Sequence, residues 1–250
     1  MTDVVTVEDT DGIRVLTINR PSRRNALNAA AYYALAEGVA SIDDDPTLKS
    51  VIITGAGEHF CAGNDLADFV APKEEKNSEK KSGAAALFDA LDNVRKPVFA
   101  AIEGYAVGIG VTMLLHCDMV YAARTAKFRI PFAPLGVAPE GGSSLLLAQS
   151  AGIKKAKELL MFGEVFSGTV AEQVGDPPGD ALEQGERGLA ELGTREDLVG
   201  CLLHLLGVVD RRRLTEEQES ASRQHRATTP SRQRRGPDPR RAPGARGAAG

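Results

Sequence analysis

An α/β layered core is the fold class this sequence predicts, on two observations. Short runs rich in β-branched residues alternate with alanine- and leucine-rich stretches at helical spacing, and 42% hydrophobic content over 250 residues is ample for a buried core. The alternation can be followed from Ile13 to about residue 173, and there the character of the chain changes.

The elements follow in order. Ile13-Arg-Val-Leu-Thr-Ile18 reads as a strand that ends at Asn19-Arg-Pro21. A helix follows over Ala26 to Ala40, with Leu27, Leu35 and Val39 at roughly helical spacing, and Asp43-Asp-Asp-Pro46 stops it. Val51-Ile-Ile-Thr54 is a buried strand closed by Gly55-Ala-Gly57. Pro72 to Gly83, crowded with Lys, Glu, Asn and Ser, predicts an exposed, mobile loop. Beyond it come a helix over Ala84 to Val94 and a buried strand over Pro97 to Ile102. Gly104 to Leu115 is a glycine-rich turn into an apolar helix, Met119 to Ala122 another strand, and Ser143 to Phe162 one or two helices.

The net charge of −4 hides an uneven spread, because residues 211–250 hold eleven Arg against four acidic residues. That tail contains one large aliphatic residue, Leu214, and cannot bury enough apolar surface to offset its ordering entropy, so disorder is expected there. Its basic charge is the footprint of a nucleic-acid or acidic-membrane binder, but it lacks interleaved aromatics, and no nucleic-acid or membrane partner is expected. Cys61, Cys117 and Cys201 are few, scattered and odd in number, fitting neither a disulfide framework nor a zinc site, and a reducing cytoplasm is the expected location. No stretch approaches the length of a membrane span, and the first residues lack the pattern of a signal peptide.

Four phrases carry the functional signal: Asn19-Arg-Pro21 with Asn25-Ala-Leu-Asn28; Phe60-Cys-Ala-Gly-Asn-Asp-Leu66; Lys96-Pro-Val-Phe-Ala-Ala-Ile-Glu-Gly-Tyr-Ala-Val-Gly-Ile-Gly110; and Cys117-Asp118. In this order they resemble the crotonase (enoyl-CoA hydratase/isomerase) superfamily over about residues 5 to 175. A dinucleotide fingerprint fits less well, since Gly55-Ala-Gly57 would need a third glycine where Phe60 stands. The resemblance implies a spiral of strand-strand-helix units, trimers or pairs of trimers, and an acyl-CoA thioester as substrate, coenzyme A being part of that substrate and no separate cofactor being required.

Removing a proton beside a thioester carbonyl puts negative charge on the oxygen, so the site needs hydrogen-bond donors fixed where that charge develops. Backbone amides at glycine-rich turns supply them, and small neighbours let the substrate approach. By the resemblance, the two donors are Ala62 and Ile109, and the substrate-binding set is Ala62, Gly63, Asn64, Asp65, Leu66, Gly108 and Gly110, with Arg23 and Arg24 as candidates for the CoA phosphates. Asp65 is expected to brace its loop and Asp118 to make structural hydrogen bonds, while His59 and His116 are read as surface or satisfied core residues. Cys61 lacks an evident base, so no thiolate mechanism is expected.

The resemblance also bears on the reaction. Hydratases of the superfamily use two glutamates, and the matching positions here are Thr112 and Phe132, neither of which can act as a general base. Instead, Leu135-Gly-Val-Ala-Pro-Glu140-Gly-Gly-Ser-Ser144 resembles the loop of the peroxisomal-type Δ3,Δ2-enoyl-CoA isomerases, implying Glu140 as sole acid/base, with a hydratase or another acyl-CoA reaction of the superfamily as the alternative. A pocket including Phe69 and Leu135 is expected to raise its pKa. A bland alternative is that Glu140 complements the start of the helix from Ser143.

The resemblance breaks at Val174-Gly-Asp-Pro-Pro-Gly179, where the superfamily continues with Gly-Leu-Val and further helices. A core over residues 1–173, an aberrant segment over 174–210 and a basic tail over 211–250 are therefore expected. A reading-frame shift near residue 174 would explain the change and would yield an inactive product. Inspection of the coding DNA decides between that and a divergent natural tail.

Overall fold

The structure, a computed structural model, describes residues 3–65 and 82–175. Strand β1 (Val5–Thr10) turns back into β2 (Ile13–Ile18), and the two pair antiparallel with Val7 opposite Leu16. From β2 the sheet grows by parallel pairing with β3 (Ser50–Gly55), β4 (Val98–Ile102) and β6 (Met119–Ala122), in the order β1-β2-β3-β4-β6. Every residue of β3 and β4 is buried, which is why both read as unbroken apolar runs rather than alternating ones.

A second, smaller sheet has the order β5-β7-β8, from Tyr105–Val107, Lys127–Arg129 and Phe166–Ser167. Two isolated parallel bridges, Leu27 with Asn64 and Cys61 with Ala106, carry its path back towards the N-terminus. The chain therefore spirals. Each turn contributes a strand to the first sheet, a short extended piece beside the second, and then a helix. The helices are α1 (Ala29–Ala40), α2 (Gly83–Asn93) and α3 (Ile109–Thr112), the last prolonged by a 3-10 turn over Met113–His116. After β7 come α4 (Ser143–Ala151), α5 (Ile153–Phe162) and, past β8, α6 (Gly168–Gly175). This is the strand-strand-helix spiral implied by the four phrases.

Local chemistry sets the ends of the elements. Helix α1 begins at Ala29, later than its composition predicts, because the Asn28 side chain accepts the Ala31 amide at 3.0 Å and caps the first turn. The helix lies against β2, with Leu35 and Val39 fully buried in the common core. Ser82 caps α2 in the same way, through the Ala85 amide. The segment from Gly104 departs from expectation: a strand, β5, precedes the helix, and the helix is a single α turn before it tightens into 3-10 geometry. Tyr105–Val107 extends because it pairs with β7 and bridges Cys61, which are partners distant in sequence.

Most of the expected 72–83 loop lies outside the described residues, as does everything beyond Gly175, including the expected basic tail. Helix α6 runs through the expected boundary at residue 173. Among the described residues no helix is long and apolar enough to cross a membrane.

Candidate active site

The spiral brings the two glycine-rich turns side by side. Cys61 donates to the Tyr105 carbonyl at 3.0 Å, and Val107 donates back to the Cys61 carbonyl at 2.9 Å. A β-carbon on Gly110 would lie 2.8 Å from that same Cys61 carbonyl oxygen, so only glycine permits this contact between the turns.

The amides of the first turn are mostly committed. Ala62 donates to the Arg24 carbonyl at 3.0 Å, Gly63 faces the Cys61 Sγ at 3.4 Å, and Asp65 donates to the Leu27 carbonyl at 2.9 Å. The Asn64 amide has no hydrogen-bond partner among the described residues. The assignment of Ala62 as an oxyanion donor is therefore corrected: its N–H is spent on the backbone of the preceding turn, and the uncommitted donor lies two residues further on. At the second turn Gly108 donates to the Arg129 carbonyl at 2.9 Å and accepts from Val111 and Thr112. Ile109 opens α3, so its amide has no carbonyl one turn earlier within the helix.

Three side chains, those of Asn25, Arg20 and Tyr32, position the first turn. Asn25, fully buried, donates to the carbonyls of Ala56 (2.8 Å) and His59 (2.6 Å) and accepts from the Arg20 amide (2.9 Å). Arg20 pairs with Asp65 at 2.7 Å, both largely shielded from solvent, which supplies the brace expected of Asp65. The Tyr32 hydroxyl of α1 hydrogen-bonds the Asn64 side chain. Arg20 and Asn25 fall within the first of the four phrases, but the phrase does not say what they or Tyr32 hold, since each side chain acts across more than thirty residues of sequence.

Arg23 and Arg24 are exposed beside this turn, and the Arg24 backbone lies in the left-handed region at φ 51°. Leu66 and Phe69 fall outside the described residues. Asp118 accepts from the Val98 amide at 2.8 Å, a structural bond between strands as expected. Burial pushes the Cys61 thiol up to about 12, which leaves it protonated at neutral pH. His59 packs edge-on against Tyr105.

Glu140 follows Pro139 and precedes two left-handed glycines, Gly141 and Gly142, that lead into α4. Its Oε1 is buried with no hydrogen-bond partner among the described residues, and burial raises the pKa above the ordinary glutamate value. The expected pocket needs correction. Leu135 is 67% exposed and cannot supply the desolvation. The backbone around Glu140 is fixed from two sides: its carbonyl accepts the Ser143 amide at 3.0 Å, and the Gly141 carbonyl meets His116 Nε2 at 2.8 Å. His116, read from the sequence as uninvolved, thus belongs to the surroundings of the site. Thr112 and Phe132, at the positions of the hydratase glutamates, are both buried, and neither has a titratable group. Among the described residues no group of three His, Cys, Asp or Glu side chains could hold a metal ion.

Comparison with known proteins bears on the family and the fold. Residues 8–177 match the family model described as enoyl-CoA hydratase/isomerase. The 1,2-epoxyphenylacetyl-CoA isomerase of Escherichia coli is 36% identical over 168 residues, 66% of this chain and 64% of that protein. Enoyl-CoA delta isomerase 2 of Rattus norvegicus is 36% identical over 163 residues, 64% of this chain and 41% of its own length. The chain therefore spans less than two thirds of these relatives. Among solved structures, the enoyl-CoA hydratase of Mycobacterium tuberculosis H37Rv superposes with a TM-score of 0.72 at 30% identity, over 91% of this chain and 84% of that one. Hydratase and isomerase names thus both occur among proteins of this likeness. With the spiral, the paired turns and the match over most of its length, the chain belongs to the enoyl-CoA hydratase/isomerase family, the crotonase superfamily.

Proposed function

We propose that this protein shifts the double bond of a 3-enoyl-CoA to the 2-position, with Glu140 as the only acid/base. The observation that carries this reading is the Glu140 carboxylate, which has a buried, unbonded oxygen and a raised pKa. A carboxylate held by several hydrogen bonds is a weak base, whereas a desolvated and unpaired one is poised to take a proton.

The thioester carbonyl lies against the amides of Asn64 and Ile109. Glu140 takes a proton from C2, the electron pair moves into the carbonyl, and the enolate oxygen is held by those two N–H groups. The same carboxylic acid then protonates C4, the electrons return, and a conjugated 2-enoyl thioester results. One carboxylate suffices because the proton removed and the proton returned pass through one group. Addition of water would need a second group to activate it, and Thr112 and Phe132 offer none. Coenzyme A is part of the substrate, and its phosphates meet Arg23 and Arg24, both exposed beside the first turn.

The test follows ultraviolet absorbance of purified protein with 3-hexenoyl-CoA and, separately, with 2-hexenoyl-CoA. Conjugation appearing from the first substrate and persisting in the second is the expected result. Loss of the 2-enoyl absorbance would make the protein a hydratase, and no change in either would overturn the isomerase reading.

A further inference from the structure

A base must be held in place, yet hydrogen bonds to its own carboxylate would weaken it. Around Glu140 the holding is done by backbone, and half of it falls to one imidazole. His116, at the end of the 3-10 turn after α3, is largely buried, with its ring 5.0 Å from that of Phe88 on α2. Its Nδ1 lies 2.7 Å from a carboxylate oxygen of Asp92 on α2, and its Nε2 lies 2.8 Å from the carbonyl oxygen of Gly141. A carbonyl oxygen can only accept, and so can an ionised carboxylate such as the exposed Asp92. Only a ring protonated on both nitrogens donates to both.

Gly141 is the residue next to Glu140. Its left-handed conformation, and the 2.3 Å that would separate a β-carbon there from the Phe88 ring, require glycine at this position, and a glycine peptide needs a tie from outside to hold it. We infer that His116, as an imidazolium bridging Asp92 and the Gly141 carbonyl, is the positioning residue that sets where the Glu140 carboxylate stands. This rests on the reading of Glu140 as the base. His116 touches no reacting atom. It acts by tying the loop to α2, so that the carboxylate is aimed by its backbone while its buried Oε1 stays unbonded among the described residues. Loss of one ring proton leaves a bare lone pair facing one of the two acceptors, and the strap opens on one side. The charged and titratable groups on the elements around the ring are Asp89 and Asp92 of α2, Cys117 beside it and Glu140 itself, while α4 carries no charged residue.

The strap is read directly in the full-length wild-type protein by NMR, following the His116 ring and the amides of Gly141 and Gly142 across a pH titration. One shared transition in all three is expected. A His116 transition that the glycine amides do not report would overturn the strap, whatever the protein catalyses. Kinetics supply the second reading. In wild type, kcat is expected to fall on the alkaline side as His116 loses its proton. His116→Leu should lower kcat about 10- to 100-fold, the scale of a small misplacement of a catalytic group, with KM changed less than about threefold and that alkaline limb gone. His116→Gln, which keeps one donor, should recover part of the loss. Unchanged kcat in His116→Leu, or an alkaline limb that survives it, would overturn the inference. If wild-type protein fails to isomerise 3-enoyl-CoA while the shared NMR transition is present, the strap stands and the proposed reaction falls.

Discussion

Glu140 and Cys61 show how burial alone gives two acidic groups opposite roles. Both are desolvated, but the Glu140 carboxyl starts low and is raised towards the working range, whereas the Cys61 thiol starts high and is pushed to about 12. Replacing Glu140 by Gln keeps the shape and removes the base, so kcat should fall about 10²- to 10⁴-fold, the usual worth of a positioned general base. Full turnover in the 3-hexenoyl-CoA assay would end the assignment. The same substitution tests linkage. With a folded pKa above the unfolded one, the stability Glu140 contributes is complete below the unfolded pKa and is lost as pH rises through the folded one. Thermal unfolding should therefore find Glu140→Gln more favourable relative to wild type at pH 8 than at pH 5. In the pH profile of the isomerisation, the acid limb of kcat should lie above the pH at which an ordinary glutamate titrates. For Cys61, brief treatment with iodoacetamide at pH 8 followed by peptide mass spectrometry should label the half-buried Cys117 before the fully buried Cys61. The reverse order would mean that the first turn opens readily.

At the scale of elements, strands and helices that draw on their own composition lie where the sequence places them. Strand β2 matches residue for residue, and β3, β4, α2 and β6 match to within a residue or two at each end. Strands β5 and β7 were not legible, because three-residue pieces form no period of their own and are extended only by partners far along the chain. The start of α1 depends on a cap, and Asn28→Ala should cost about 1 kcal/mol in chemical denaturation, the usual worth of an N-cap. The loop between β7 and α4 is more demanding. Gly141→Ala places a β-carbon 2.3 Å from the Phe88 ring and in a left-handed conformation, so a loss of roughly 1–3 kcal/mol is expected. Because the displaced peptide carries Glu140, kcat should fall with it. A stable variant with unchanged kcat would show that the loop position does not matter to the chemistry.

Across the whole molecule, the described groups of the site lie between Arg20 and Ser143, on the loops where the first and second sheets of successive turns meet. The arginine-rich residues 211–250 lie outside the described residues. A chain ending at residue 210 should keep kcat/KM within about twofold if its activity depends on those loops alone. A loss of ten-fold or more would give that segment a role the described site does not contain. Several large apolar side chains, among them Leu145, Ile153, Met161 and Phe162 on α4 and α5, stand exposed in the single chain.

The sequence by itself determined the family, the layered α/β core, the two glycine-rich turns, the absence of the hydratase glutamates and the presence of Glu140, because these are written in residue types at fixed local spacing. Only the tertiary structure decided which amide of the first turn is available, since that depends on Arg24 reaching Ala62 across the fold. It also decided that Asn25, Arg20 and Tyr32 hold that turn, that Leu135 faces outward, and that His116 meets the Gly141 carbonyl. The physical reason is common to all of them. A hydrogen bond or a desolvated carboxylate is a property of two groups and the space between them, and no single stretch of chain contains both.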